Sequence, residues 1–225
     1  MTYKDRVKRF ANKIRYENIS SLGPSGLKIY AVCIRPFWSK EQRLFFEGSP
    51  CLPEGQMFVR ERQAMYETII KHRPRQCVEI GTCMGGGSTY FLARAFDKIG
   101  NGQVITTESY GPYYRTAVER YRKNLPDLAR RIIFINTGST EPLIRYVKGG
   151  IGSFFLDGAE NALESEGQYR FFLPYCQSGD IFMAHDWNSE KMRLVRPLVE
   201  ADPRWKKLVS LEPPQSVGFV VYMRE

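Results

Sequence analysis

One stretch constrains this chain more than any other: Cys77-Val78-Glu79-Ile80-Gly81-Thr82-Cys83-Met84-Gly85-Gly86-Gly87-Ser88-Thr89. It reads as a buried strand carrying an acidic residue near its end, then a glycine loop, then the start of a helix. Glycines let backbone approach a ligand closely because no Cβ stands in the way. The opening turn of the helix offers N–H groups without intrahelical partners. Such an architecture binds a nucleoside-type cofactor. Two better-known glycine loops are excluded. The dinucleotide fingerprint G-x-G-x-x-G is absent because position 83 is Cys, and the phosphate-cradling loop is absent because Gly87 leads to Ser88 without a lysine.

From residue 76 onward, short apolar runs alternate with amphipathic ones. The pattern predicts strands over 76–80, 103–108, 131–136, 153–157, 180–185, 207–211 and 217–223. It predicts helices over 88–99, 113–124, 140–147, 164–173 and 191–201. Alternation of this kind implies a mostly parallel sheet covered on both faces. Only residues 212–216 separate the last two strands, enough for a hairpin and too few for a parallel crossover. The expected fold class is therefore α/β, a seven-stranded, mostly parallel sheet closed by a C-terminal antiparallel hairpin.

Residues 1–75 differ. They hold 15 Lys/Arg against 7 Asp/Glu, whereas residues 76–225 hold 18 against 17, so almost all of the net charge of +9 lies at the N-terminal end. That excess reads as a solvated basic face, or as a rim for an acidic partner. Helices are predicted over 5–16 and 58–71. In the second, Phe58, Arg62, Met65, Tyr66, Ile69 and Ile70 form a stripe at helical spacing. Residues 20–53, rich in Gly and Pro, are expected to be loop, with Tyr30, Phe37, Trp38, Phe45 and Phe46 covering a core edge or forming a lid. Five scattered cysteines without C-x-x-C argue against a zinc site or a disulfide framework. No apolar run is long enough to span a membrane, and the polar start lacks a signal peptide's apolar stretch, so a cytoplasmic location is the default expectation.

In open α/β sheets the ligand site is built at the carboxyl ends of the strands. Here those ends carry Glu79, Glu108, Asp157 and His185-Asp186. Four such positions in register after a glycine loop point to a site rather than to four helix caps.

Glu79-x-Gly81-x-x-x-Gly85 resembles motif I of the class I S-adenosylmethionine (SAM) methyltransferases. Asp157-Gly158-Ala159-Glu160 and His185-Asp186 resemble the D-G-x-H and H-D signatures of a narrower group, which includes macrocin O-methyltransferase and the cephalosporin-hydroxylase-like proteins. The resemblance spans about residues 76–188. It implies a Rossmann-like fold with strand order 3-2-1-4-5-7-6, a SAM-binding domain over 56–225 and an N-terminal basic cap or lid over 1–55. It implies SAM contacts from Glu79, Gly81, Thr82, Gly85, Ser88, Glu108, Ser139 and Asp157. Glu108 would accept the ribose hydroxyls, and Glu79 would anchor the loop or reach the methionine ammonium. Gly87 lengthens the usual spacing and shifts Ser88 by one. Gly138 stands where many relatives carry an adenine-binding Asp.

The group also binds a divalent metal, usually Mg²⁺. The resemblance assigns it to Asp157 and Asp186, with His185 or Asn188 as a further ligand. The group's base histidine is replaced by Glu160, so Glu160 or His185 would take the proton, with Asp157 beside them. The expected activity is O-methylation of a small hydroxylated acceptor, sugar-like or a natural product. An RNA 2′-hydroxyl methyltransferase is the less favoured alternative, and a cofactor-binding homologue without catalysis is a third. Exposed aromatics in 30–46 would suit a lid or an oligomer contact.

Overall fold

The computed structural model describes residues 3–17, 19–53, 55–213 and 216–225. In chain order the elements are α1 (Tyr3–Tyr16), α2 (Pro24–Ile29), α3 (Lys40–Glu47), α4 (Val59–His72), β1 (Gln76–Ile80), α5 (Ser88–Ile99), β2 (Gln103–Thr107), α6 (Gly111–Asn124), α7 (Pro126–Ala129), β3 (Ile132–Ile135), α8 (Glu141–Ile144), β4 (Ser153–Leu156), α9 (Ala162–Phe172), β5 (Ile181–His185), α10 (Val195–Ala201), β6 (Trp205–Leu211) and β7 (Phe219–Arg224). The sheet order is β3-β2-β1-β4-β5-β7-β6, as the resemblance implied. The first five strands are parallel, and β7 runs antiparallel to both β5 and β6. Pro214 and Gln215, in the predicted hairpin connection, lie outside the described residues.

Period-two alternation sends β1 side chains to two different cores. Cys77 joins the layer built with α4 and α5, around Met65, Ile69, Phe91 and Phe96. Val78 and Ile80 join the layer built with α9 and α10, around Tyr169, Phe172, Val195 and Val199. Glu79 shares the face of Cys77 and is fully buried beneath α5.

Three expectations need correction. Residues 20–53 are mostly helical: α2 runs on through a π-helical turn (Tyr30–Ile34) and a 3₁₀ turn (Arg35–Phe37), and α3 follows with Ser39 as its N-cap. Tyr30 and Phe46, on helical turns, and Trp38, just past the 3₁₀ turn, pack into a small core of their own, with ring centroids 4.8–5.5 Å apart. Phe45 turns instead into the main core, against Tyr66 and Phe91. The helix expected over 140–147 is a single turn, Glu141–Ile144, after which the bonding tightens to three-residue turns, with the Tyr146 N–H on the Leu143 carbonyl at 3.0 Å and the Val147 N–H on the Ile144 carbonyl at 3.1 Å. The last predicted helix starts only at Val195, after a separate 3₁₀ turn at Glu190–Met192.

Candidate active site

The ends of β1 to β4 open into one cavity of about 690 Å³. Its walls are residues 81–88, 107–110 and 137–140, together with Asp157, Gly158, Glu160, Glu164, Gln168 and Lys191. Of the residues expected to contact SAM, Gly81, Thr82, Gly85, Ser88, Glu108, Ser139 and Asp157 line this cavity; Glu79 does not. Tyr110 and Tyr113 stand at its edge, packed edge to face at 4.8 Å.

Glu79 works from below. Its Oε2 accepts from the hydroxyls of Thr89 and Thr106, each at 2.6 Å. Thr106 has one hydroxyl proton and gives it to Glu79, so Thr82, 2.5 Å from Thr106, donates to Thr106 in turn. The acid thus ties the start of the loop (Thr82) and the start of α5 (Thr89) to the neighbouring strand. Burial pushes the Glu79 carboxyl up to about 7, although the surrounding hydroxyls pull it the other way.

Glu108 sits just past the end of β2. One carboxylate oxygen accepts from the Cys83 N–H and the other from the Tyr110 N–H, both at 2.8 Å. These bonds fix the carboxylate between the glycine loop and the next loop. Each oxygen keeps a further lone pair for a ligand hydroxyl.

The loop glycines have an unexpected second role. A Cβ on Gly86 would fall 1.6 Å from the Pro53 carbonyl oxygen, and one on Gly55 would fall 2.2 Å from the Gly87 Cα. Glycine at 86 and at 55 therefore lets the two backbones meet, whereas a Cβ on Gly87 would itself stand 3.4 Å from the Gly55 Cα, an ordinary contact. Pro53, Gly55, Gln56 and Met57 become one wall of the cavity. The wall is held by Arg62, fully buried, which donates to the carbonyls of Phe45 and Gly55 at 3.3 and 3.2 Å and lies 5.3 Å from the Phe91 ring centroid.

The second constellation is a chain of alternating charges. His185 Nδ1 is 3.1 Å from Asp157 Oδ1, and Nε2 is 3.1 Å from Glu61 Oε2. Carboxylates only accept, so both ring nitrogens donate and the ring is an imidazolium. Burial alone would lower its pKa, but the two carboxylates outweigh burial and push it up to about 10. Glu61 is fully buried at the start of α4. It also accepts from the Phe58 N–H at 2.6 Å, the Ser216 hydroxyl at 2.5 Å and the Val217 N–H at 3.3 Å. On the cavity side, Lys191 Nζ lies 2.9 Å from Asp186 Oδ2, 3.9 Å from Asp157 Oδ1 and 3.3 Å from the Asp157 carbonyl oxygen. Asp186 holds its place from a left-handed backbone position (φ +54°), which Asp tolerates better than most residues. Glu160 is exposed at the cavity, where its N–H donates to Glu164 at 2.9 Å and starts the turn into α9.

Asp157, His185 and Asp186 are thus brought together, with one ligand-type atom of each within 4.8 Å of the others. Sequence reasoning missed Glu61, Lys191 and the wall of Pro53, Gly55, Gln56 and Met57. Glu61 had one readable signal, an acid four residues before Met65 on the apolar side of its helix. Lys191 had none, because its partners are set by the turn at Glu190–Met192.

No protein-family model matches this chain, and no curated protein matches it in sequence. Solved structures do match. The O-methyltransferase TomG from Streptomyces achromogenes, involved in tomaymycin synthesis and solved with SAM, aligns with TM-score 0.62 at 14% identity, covering 100% of this chain and 99% of that one. An O-methyltransferase from Bacillus cereus in complex with SAH aligns with TM-score 0.60 at 16% identity, covering 88% and 96%. An SAH-bound methyltransferase from Podospora anserina aligns with TM-score 0.60 at 13% identity, covering 100% and 97%. Likeness at these identities is a likeness of fold, and together with the strand order it gives this chain the Rossmann-like class I methyltransferase fold.

Proposed function

We propose that this chain is an enzyme that transfers a methyl group from SAM to a hydroxyl oxygen of a small acceptor. The observation that carries the reading is Glu108: a carboxylate fixed by two loop N–H groups at the lip of a glycine-lined cavity, with lone pairs left to accept both hydroxyls of a ribose. The cavity volume is in the range that holds a nucleoside-sized ligand. The solved structures named above are O-methyltransferases or bind SAM or SAH, which directs the reading to oxygen as the acceptor atom.

SAM would be held by the loop over residues 81–88, by Glu108 and by residues 137–140. When bound it supplies an electrophilic methyl group, whose bond to sulfur breaks, returning the electron pair to sulfur, as the acceptor oxygen forms the new C–O bond. The chain's part is to orient the acceptor and take its proton. His185 cannot accept that proton, since both ring nitrogens already carry one. Glu160, exposed to the cavity, is the carboxylate that takes it. The N-terminal segment acts as a cap whose last residues complete the wall.

The divalent metal implied by the family resemblance does not fit this arrangement of residues. Magnesium needs open oxygen ligands at about 2.0–2.1 Å in octahedral array. Asp157 and Asp186 are the right type, but a lysine ammonium sits against both. His185 has no lone pair to offer, and Asn188 turns its Oδ1 to Arg196 at 3.0 Å.

Calorimetric titration with SAM and SAH tests the reading. Micromolar binding that Glu108→Ala weakens supports it and justifies an acceptor screen. Absence of binding to either compound refutes it.

A further inference from the structure

We propose that the ammonium group of Lys191 is the resident cation of this site: it takes the place of the divalent metal between Asp157 and Asp186, and methyl transfer here needs no metal. The catalytic half of this inference rests on the function proposed above; the metal-exclusion half does not.

Three observations converge. The first is position. Lys191 Nζ contacts Asp186 Oδ2 at 2.9 Å and stands 3.9 Å from Asp157 Oδ1, while its side chain also lines the cavity. A bound metal would have to lie between the same two carboxylates and face the same space. The second is charge. The Lys191 ammonium already stands against both aspartates, so a divalent ion placed between them would meet a fixed positive charge in a half-buried site, where repulsion is poorly screened. The third is the third ligand. His185 is committed through both nitrogens to Asp157 and Glu61, and Asn188 to Arg196.

The architecture keeps Lys191 there. It lies in the 3₁₀ turn Glu190–Met192, whose N-cap Ser189 accepts from the Lys191 N–H at 3.3 Å. The Ser189 N–H in turn donates to the Asp186 carbonyl at 2.8 Å. Met192, the next residue, is fully buried and anchors the turn. Lysine and aspartate are therefore held by one short backbone segment, and a further bond from Nζ to the Asp157 carbonyl at 3.3 Å spans to β4.

A tethered ammonium can do what a metal does for a hydroxyl nucleophile. It donates a hydrogen bond to the acceptor oxygen and stabilises the negative charge that grows there as the proton leaves for Glu160. Lys191 itself neither gains nor loses a proton. It differs from a metal in one respect: it cannot be removed by a chelator.

The test uses Mn²⁺ as probe, read by electron paramagnetic resonance on the full chain, with the wild type, Lys191→Ala, and Lys191→Ala combined with Asp157→Asn. The expected result is no Mn²⁺ binding by the wild type at millimolar ion. Lys191→Ala should gain binding by roughly tenfold or more, and adding Asp157→Asn should abolish the gain. Mn²⁺ binding by the wild type that Lys191→Ala leaves unchanged overturns the proposal. Silence from all three proteins also overturns it, because Lys191 would then not be what excludes the ion. This arm needs no turnover, so it stands or falls apart from the SAM titration. Once an acceptor is found, wild-type turnover should survive EDTA and Lys191→Met should lower kcat. Loss of wild-type turnover in EDTA, restored by Mg²⁺, refutes the catalytic half.

Discussion

Replacing Glu61 with Gln tests the buried charge chain at its deepest point. The carboxylate accepts from four donors: Phe58 N–H and His185 Nε2–H on one oxygen, Ser216 hydroxyl and Val217 N–H on the other. An amide keeps one accepting oxygen and turns the other into a donor, so two donors lose their acceptor and face an NH₂ group. The imidazolium also loses one of its two counter-charges. Breaking a buried ion pair from one side costs about 3–5 kcal/mol, which for a chain of this size lowers Tm by roughly 6–20 °C. The loss should depend on pH with a definite sign. The His185 pKa is raised from 6.5 to about 10, so the stability it contributes is complete below pH 6.5 and disappears as pH rises through about 10. Removing the Glu61 charge lowers the folded-state pKa, so the gap between wild type and variant is widest below pH 6.5 and narrows by pH 10. Urea unfolding followed by the fluorescence of the buried Trp187 and Trp205 measures it. Equal stability at pH 6, or a gap unchanged between pH 6 and pH 10.5, would refute the reasoning.

Glu79 gives a pH dependence of the same sign over a lower window. Its pKa is raised from 4.5 to about 7, so the folded state holds a proton that the unfolded chain has released, and stability falls as pH climbs through that window. Glu79→Gln should escape this fall and gain on the order of 2 kcal/mol relative to wild type between pH 4.5 and pH 7, read by the same unfolding assay; a constant difference across the window would count against it. Gly86→Ala drives a Cβ into the Pro53 carbonyl and should lose about 2–3 kcal/mol, whereas Gly23→Ala, with open space around it, should stay within roughly 0.5 kcal/mol. Glu108→Ala removes two loop tethers and the proposed ribose acceptor, so SAM affinity should fall by about 10- to 100-fold with little change in Tm; unchanged affinity by calorimetry would remove Glu108 from the site.

The sheet was legible because its signals are local. Cys77-Val78-Glu79-Ile80, Phe154-Phe155-Leu156 and Ile181-Phe182-Met183-Ala184 are apolar runs bounded by turn residues, and a five-residue connection before the last strand requires a hairpin. The placement of Glu108 and Asp157 followed from the rule that ligands bind where parallel strands end. The helices over residues 24–47 were hidden because Pro24 and Pro36 suggest loop, yet proline fits the first turn of a helix, and both take that place here. Gly86 looked like a ligand-facing glycine because sequence records only that a Cβ is missing, not which neighbour fills the space. The pairing of Lys191 with two aspartates was out of reach for a related reason: opposite charges five and thirty-four residues apart carry no periodicity, and only the turn after β5 brings them together.

Glu61 and Arg62 are consecutive on α4, both fully buried, and they face different tasks. Arg62 reaches back to the Phe45 and Gly55 carbonyls and fixes the strap that closes over Gly86 and Gly87. Glu61 reaches forward under the sheet to His185 and the loop before β7. Burying two ionisable side chains side by side is costly unless each is fully hydrogen-bonded, so neither network tolerates much displacement of the helix. One turn of α4 thereby sets two distances at once: from the N-terminal segment to the glycine loop, and from Asp157 to its cationic neighbours. The cavity wall and the charge chain cannot be adjusted independently. A segment held this way acts as a fixed part of the site, and removing residues 1–55 would take away the Pro53 and Gly55 contacts that the triple glycine accommodates. Of the three consecutive glycines, which the sequence presents as a ligand cradle, Gly86 is owed to that wall.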